Sequence, residues 1–424
     1  MKMTSVKKFL ILLACLILLL TAGLTGCSSQ SSTDETADTS VDADFAINET
    51  YNNSENGGHA ILDDGEVQSY SNIAVTKTGD SDGDDADFYG ENAAILAENG
   101  AALTLNEITV STDGKHANAV FSYGEGTTVN ISNAIIKTTG SCSGGLMTTG
   151  GGTMNAEKLT INTTGNSSAA IRSDRGGGTV TVKDGSYTTS GTGSPVIYST
   201  ADITVSDAEM TSTASQGVVV EGKNSVTLNN VTLSADNTQK NSSNSDWYQA
   251  VMIYQSMSGD AAQGASSFTM SGGSLTNENG DIFFVNNTET AITLSGATIT
   301  NKDADGVFLR AAAAGWGNEG SNGGHVTLTA SAQQIDGNML VDDISTLNLY
   351  LADASTFSGA INPDKAQGDV YVELSGGSKW TLSGDSYITS LTCDTDSIDL
   401  NGHTLYVNGT AYTQGTAASG QTVS

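Results

Sequence analysis

The densest set of potential ligands in this 424-residue chain is Asp80-Ser-Asp-Gly-Asp-Asp-Ala-Asp87, where carboxylates crowd around Gly83. Alternating acids at a glycine turn suit a hard cation, because Ca²⁺ gathers roughly 6–8 oxygens from carboxylates and carbonyls. Asp80, Asp82, Asp84, Asp85 and Asp87 are therefore the expected ligands of a structural Ca²⁺, with a solvated acidic loop as the alternative. A second chemistry is carried by aromatic residues in long polar stretches. Trp247 and Tyr248 close residues 235–248, and Trp316 sits in the small-residue stretch 311–324. Loops on a rigid scaffold concentrate binding residues, and aromatic faces are what neutral sugar rings stack on. Trp316, Trp247 and Tyr248 are the expected carbohydrate contacts, Trp316 first; the alternative is that they fold back onto the scaffold.

Other reactive spacings are sparse. His59 and His325 follow Gly-Gly, while His116 and His403 sit in small-residue bends, and no His-x-x-x-His occurs. No spacing suggests a reactive Cys–His pair. Arg172-Ser-Asp-Arg175 is the one basic cluster, and the glycines after it mark a bend.

These residues hang on a repeat. Leu103-Thr-Leu, Val129-Asn-Ile, Val180-Thr-Val, Ile203-Thr-Val, Val226-Thr-Leu, Phe268-Thr-Met and Ile292-Thr-Leu each open a long apolar-polar-apolar unit. Most copies lie roughly 23–26 residues apart, a period typical of stacked repeats. Between them fall shorter apolar units such as Ala119-Val-Phe, Ala169-Ala-Ile, Gly217-Val-Val-Val and Asp281-Ile-Phe-Phe. One coil is then a short strand, a bend, a long strand and a bend, with Gly, Asn, Asp and Ser at the turns. A single coil cannot bury its apolar residues, whereas parallel coils stacked at about 4.8 Å can. The expected fold is all-β, a right-handed parallel β-helix of about a dozen coils with almost no helix.

The chain begins with Lys2, Lys7 and Lys8 ahead of an apolar run from Phe9 to Leu20, too short for the ~20 residues of a membrane span. Removing that segment leaves 13 basic residues against 47 acidic ones, near −34. Such a charge disfavours nucleic acid, and anionic polysaccharide unless a divalent cation bridges. Residues 28–44 are acidic and of low complexity, a disordered tether. Cys142 and Cys393 lie many coils apart, beyond the ~7 Å reach of a disulfide, and should be free thiols.

Leu24-Thr-Gly-Cys27 resembles the lipobox of bacterial lipoproteins, which implies a signal peptide over 1–26 and a lipidated Cys27 opening the 27–44 tether. The repeats of residues 65–410 resemble the pectin-lyase-like superfamily of β-helices, and residues 376–407, with Trp380 read as core or cap, resemble the closing coils of autotransporter-type adhesins. The domain is expected to span 45–412, with a flexible tail over 413–424. The superfamily contains polysaccharide lyases and hydrolases beside adhesins and polysaccharide-binding lipoproteins. Gly-His-Gly and Arg-Ile-Lys, which its polygalacturonases need, do not occur; the adjacent acids Asp63-Asp64, Asp84-Asp85 and Asp342-Asp343 have no such histidine beside them. The resemblance thus implies a non-enzymatic surface lipoprotein outside a bacterial membrane, held there by its lipid alone and contacting glycan; a diverged lyase or hydrolase is the alternative. Replacing Cys27 by Ala is expected to move the chain from the membrane fraction to the soluble fraction, read by detergent partitioning.

Overall fold

Alternation along the chain sets the long strands. In strand Ala102–Thr112, Leu103, Leu105, Ile108 and Val110 are all buried while their neighbours face outward. Glu107, with φ of 53°, turns the strand mid-way, so that it lines two sides of the coil. The same left-handed position is held in successive coils by Asn72, Asn133, Lys158, Asp184, Asp207 and Asn230. Asn and Asp, which tolerate that conformation best, recur there.

The structure, a computed structural model, describes residues 45–239, 244–245 and 247–424. The expected signal peptide, the lipidation site Cys27 and the tether lie outside the described residues. Within them the long strands form an 18-stranded sheet and the short strands an 11-stranded one. Pairing is parallel, each strand against its counterpart one coil away: Leu103 beside Val129, Val129 beside Met154, Met154 beside Val180. This register is compatible with a parallel β-helix. Among the described residues the one helix is Asp84–Phe88.

Inward columns make the core. Phe268, Phe283 and Phe308 meet edge to face, with ring centroids 5.5 and 5.6 Å apart. Trp380 is fully buried, stacked on Phe357, and its Nε1–H donates to the Gly359 carbonyl at 2.9 Å. Cys142 and Cys393 are free, as expected.

The tail corrects one expectation. Residues after Tyr412 are tied down: Ala418 and Cys393 form an antiparallel bridge, and Gly420 N–H donates to Thr392 Oγ1. Asn348 also exchanges two 3.0 Å hydrogen bonds with the backbone of Val423. The polar composition of this segment hides the fact that its partners are backbone and side-chain groups of the last coils.

Bends stack as closely as strands. A Cβ on Gly165 would fall 1.8 Å from the carbonyl oxygen of Gly140, and one on Gly191 the same distance from that of Gly165. Glycine is required here by backbone approach, not by φ. Gly165→Ala is expected to destabilise the fold by about 1–3 kcal/mol or more, read as a lower Tm. Gly384→Ala, whose new Cβ would only touch the Ala360 Cβ at 3.4 Å, should leave Tm close to the parent's.

Candidate functional site

The short strands bury both of their faces. Ile95, Val120, Leu146, Ile171 and Ile197 point into the core, and the next residues along form an outward row: Leu96, Phe121, Met147, Arg172, Tyr198, Val219, Met252, Phe284. Leu62, beside Leu96 at the start of the row, is exposed, and two inserted lobes cover the apolar residues that follow on either side of Arg172 and Tyr198. Residues 80–91 lie beside this end of the row, Gly90 against Leu96 and Phe121, with Tyr89 packed edge-on against Tyr123 at 5.4 Å and the Phe88 carbonyl accepting from Thr149 Oγ1. The long bends around 244–265 and 311–324 lie over Val219, Met252 and Phe284.

The aromatic residues expected to contact sugar lie in this second lobe. Trp316 packs against Tyr254 with centroids 5.1 Å apart, and Trp247 against Phe284 at 5.4 Å, with the Arg310 guanidinium 4.7 Å from its ring. Tyr248 is half-buried, and its carbonyl accepts the Asp281 N–H at 2.8 Å. The tryptophans come from opposite bends yet meet one apolar cluster, each keeping only part of its surface in solvent. Residues 255–265 and the 311–324 bend face each other across a groove of about 360 Å³ lined by Gln255, Met257, Asn287 and Asn318.

Between the lobes the row turns polar, and a concavity of about 200 Å³ opens over Arg172 and Tyr198, walled by Ser167, Ala169, Gly193 and Pro195. Arg172 is held by Asp174 at 2.7 Å and lies 5.9 Å from the Tyr198 ring centroid. Burial opposes its charge, but the Asp174 carboxylate more than offsets this and raises its pKa. Behind the wall, Glu221 is buried with both oxygens engaged: Tyr198 and Tyr254 donate to Oε2 and Ser256 to Oε1. Burial first, then nearby charge, pushes both phenols well above their ordinary range, so they remain donors. With its oxygens so engaged, Glu221 fastens adjacent coils and is screened from the concavity.

The five acids of the first lobe diverge. Asp80 Oδ1 accepts the Lys115 backbone N–H at 2.7 Å, Asp82 pairs with Lys115 Nζ at 2.8 Å, and Asp84 pairs with Arg175 at 3.1 Å. Asp85 is exposed on the helix, and Asp87 lies 2.7 Å from His116 Nδ1. Three of the five thus pair with Lys115, Arg175 and His116, and Asp80 with a backbone N–H. Cys142 Sγ joins Asp87 and His116, the three ligand atoms all lying within 4.8 Å of one another. Asp87 first, then Cys142, hold the His116 pKa up to about 9 against burial. The sequence reading paired no Cys with a His; the structure does, because His116 and Cys142 occupy equivalent bends of consecutive coils. Each has φ near 57°, and the His116 N–H donates to Ser141 O, the Cys142 N–H to Asn166 O. Their separation of one repeat period was the available signal. The bend column runs on through Ser167 and Gly193, which wall the concavity.

Comparison with known proteins gives no match: no family model, no curated protein and no solved structure corresponds to the chain.

Arg175 joins the lobes. Its guanidinium donates to Asp260 at 2.8 and 3.1 Å and to Asp84 at 3.1 Å, and stands 3.8 Å from the Phe88 ring centroid. Because these pairs are partly exposed, they contribute only about 0–1 kcal/mol to global stability. Arg175→Ala is expected to leave Tm nearly unchanged while amide exchange quickens in residues 81–90 and 256–264.

Proposed function

We propose that the chain is a non-enzymatic surface lipoprotein, a right-handed β-helix of the pectin-lyase-like kind, that binds glycan in the concavity between its two lobes. The observation that carries this reading is the break in the outward row. From Leu96 to Phe284 the apolar residues of the row are covered, and between them, at Arg172 and Tyr198, the face opens, presenting a fixed guanidinium and an aromatic ring side by side. A sugar needs this pair: a face to stack on and donors for its hydroxyls. Arg172 is preorganised by Asp174, so little side-chain entropy is lost on binding.

The polymer favoured is neutral, since the acidic surface repels uronates. A Ca²⁺ ion at residues 80–87, which could bridge an acidic polymer, would compete with Lys115, His116 and Arg175 for the same oxygens. Binding in place of catalysis is supported by Glu221, whose oxygens are engaged by Tyr198, Tyr254 and Ser256. Anchoring at Cys27 would hold this face outside the bacterial membrane at the end of a solvated tether.

Isothermal titration against neutral and acidic oligosaccharides tests the reading. Tyr198→Ala should weaken binding about tenfold, the loss of one aromatic face, with little dependence on salt. Trp316→Ala should change it less, since that ring is engaged by Tyr254. A response to Trp316→Ala alone would move the site to the neighbouring groove, and release of unsaturated or reducing ends by the parent chain would sink the non-enzymatic reading.

A further inference from the structure

Three side chains of different ligand type, distant in sequence, meet where the first lobe touches the coil bends. Asp87 comes from the helix Asp84–Phe88, and His116 and Cys142 from the same left-handed position of two consecutive coils. We propose that Asp87, His116 and Cys142 bind a single zinc-class divalent cation, with water as the remaining ligand.

The donor set selects the metal. One carboxylate, one imidazole and one thiolate suit zinc and its first-row neighbours, whereas Ca²⁺ takes oxygen alone and more of it. Bonds of roughly 2.0–2.3 Å in a tetrahedron place donor atoms about 3.3–3.7 Å apart, and the three donors already lie within 4.8 Å of one another. Small side-chain adjustments would close the site around an ion.

A second observation points the same way. His116 is 3% exposed, and its Nδ1, though 2.7 Å from Asp87 Oδ1, forms no aligned hydrogen bond: a buried ring nitrogen aimed into the cluster with no hydrogen-bond partner. On the other side of the ring, Nε2 faces Asp82 Oδ1 at 3.4 Å, and Asp82 is fixed by Lys115 at 2.8 Å. A carboxylate behind the far nitrogen is the arrangement that orients metal-binding imidazoles and sets their tautomer. Cys142 is half-exposed, which leaves the ion a route in and the water a place to sit.

Such an ion would pin the first lobe to the bends of the next two coils. The column it grips continues into the wall of the concavity through Ser167. The site is independent of the glycan reading, and either can fail alone.

The test uses the full chain, reduced and stripped with chelator, titrated with Co²⁺ and then Zn²⁺. One equivalent of Co²⁺ should bind and give a thiolate-to-metal charge-transfer band that Zn²⁺ abolishes and Ca²⁺ leaves unchanged. Cys142→Ser should lose the band and weaken Zn²⁺ binding by about 100-fold or more; serine occupies the equivalent bend at Ser167, so the backbone is accommodated. Asp82→Asn should keep the band and weaken Zn²⁺ about 10–100-fold, the effect of losing an orienting partner. Cys393→Ser should bind as the parent does, and circular dichroism of each variant verifies its fold. A band that survives in Cys142→Ser, or a parent chain without saturable Co²⁺ uptake, overturns the proposal.

Discussion

The backbone hydrogen-bond register between neighbouring coils is the constraint on which everything else depends. Each strand residue sits beside its counterpart one coil away, so whatever a position does is repeated or interrupted at about 4.8 Å intervals. Repetition of an apolar side chain makes a core column, as in Val129, Met154 and Val180. Repetition of glycine makes a bend where backbones nearly touch, as at Gly140, Gly165 and Gly191. An interruption makes a site. Arg172 and Tyr198 interrupt an apolar row, and His116 and Cys142 stand where later coils carry serine and glycine.

The lobes extend this logic to charge. A long outward apolar row left bare would be a sticky patch, and chain inserted from the bends covers most of it. The acidic first lobe is then secured by the basic groups that the scaffold places under it, Lys115 and Arg175, with His116 between them. Much of the local attraction in this strongly acidic protein is spent at that seam.

What could be read from the sequence follows from how far each signal travels along the chain. Alternation in Val-Thr-Leu units is local, and the strands and their parallel stacking could be read from it, whereas the mid-strand turn at Asn133 or Asp184 emerged only with the structure. Trp380 read as core or cap through the resemblance of residues 376–407 to closing coils, and it is core. At Trp247 and Trp316 long polar segments suggested exposure, while unbroken apolar runs such as Ala250-Val-Met-Ile and Asp281-Ile-Phe-Phe held the clue that both rings are partly buried. A strand apolar on both faces must be covered on both, and the tryptophans supply part of that cover. The grouping of Asp87, His116 and Cys142 depends on residues from three bends, which no local motif spans. Folding the sequence on its own period would have brought the histidine and cysteine together, though not the aspartate, since Asp87 lies in an insertion outside that period.

The C-terminal segment has a consequence for self-association. A stack of parallel strands has no intrinsic end, since its last strand offers unpaired N–H and C=O groups to any further strand, including one from another copy. Here residues 418–421 cross Ser390–Cys393: Ala418 takes up the N–H and C=O of Cys393 in an antiparallel bridge, and Gly420 and Gln421 donate to the side chains of Thr392 and Ser390. Because the closing segment runs against the direction of the stack, it presents the wrong polarity for another coil to dock in register. A reversal of chain direction over four residues thus closes one edge of a periodic structure to further copies.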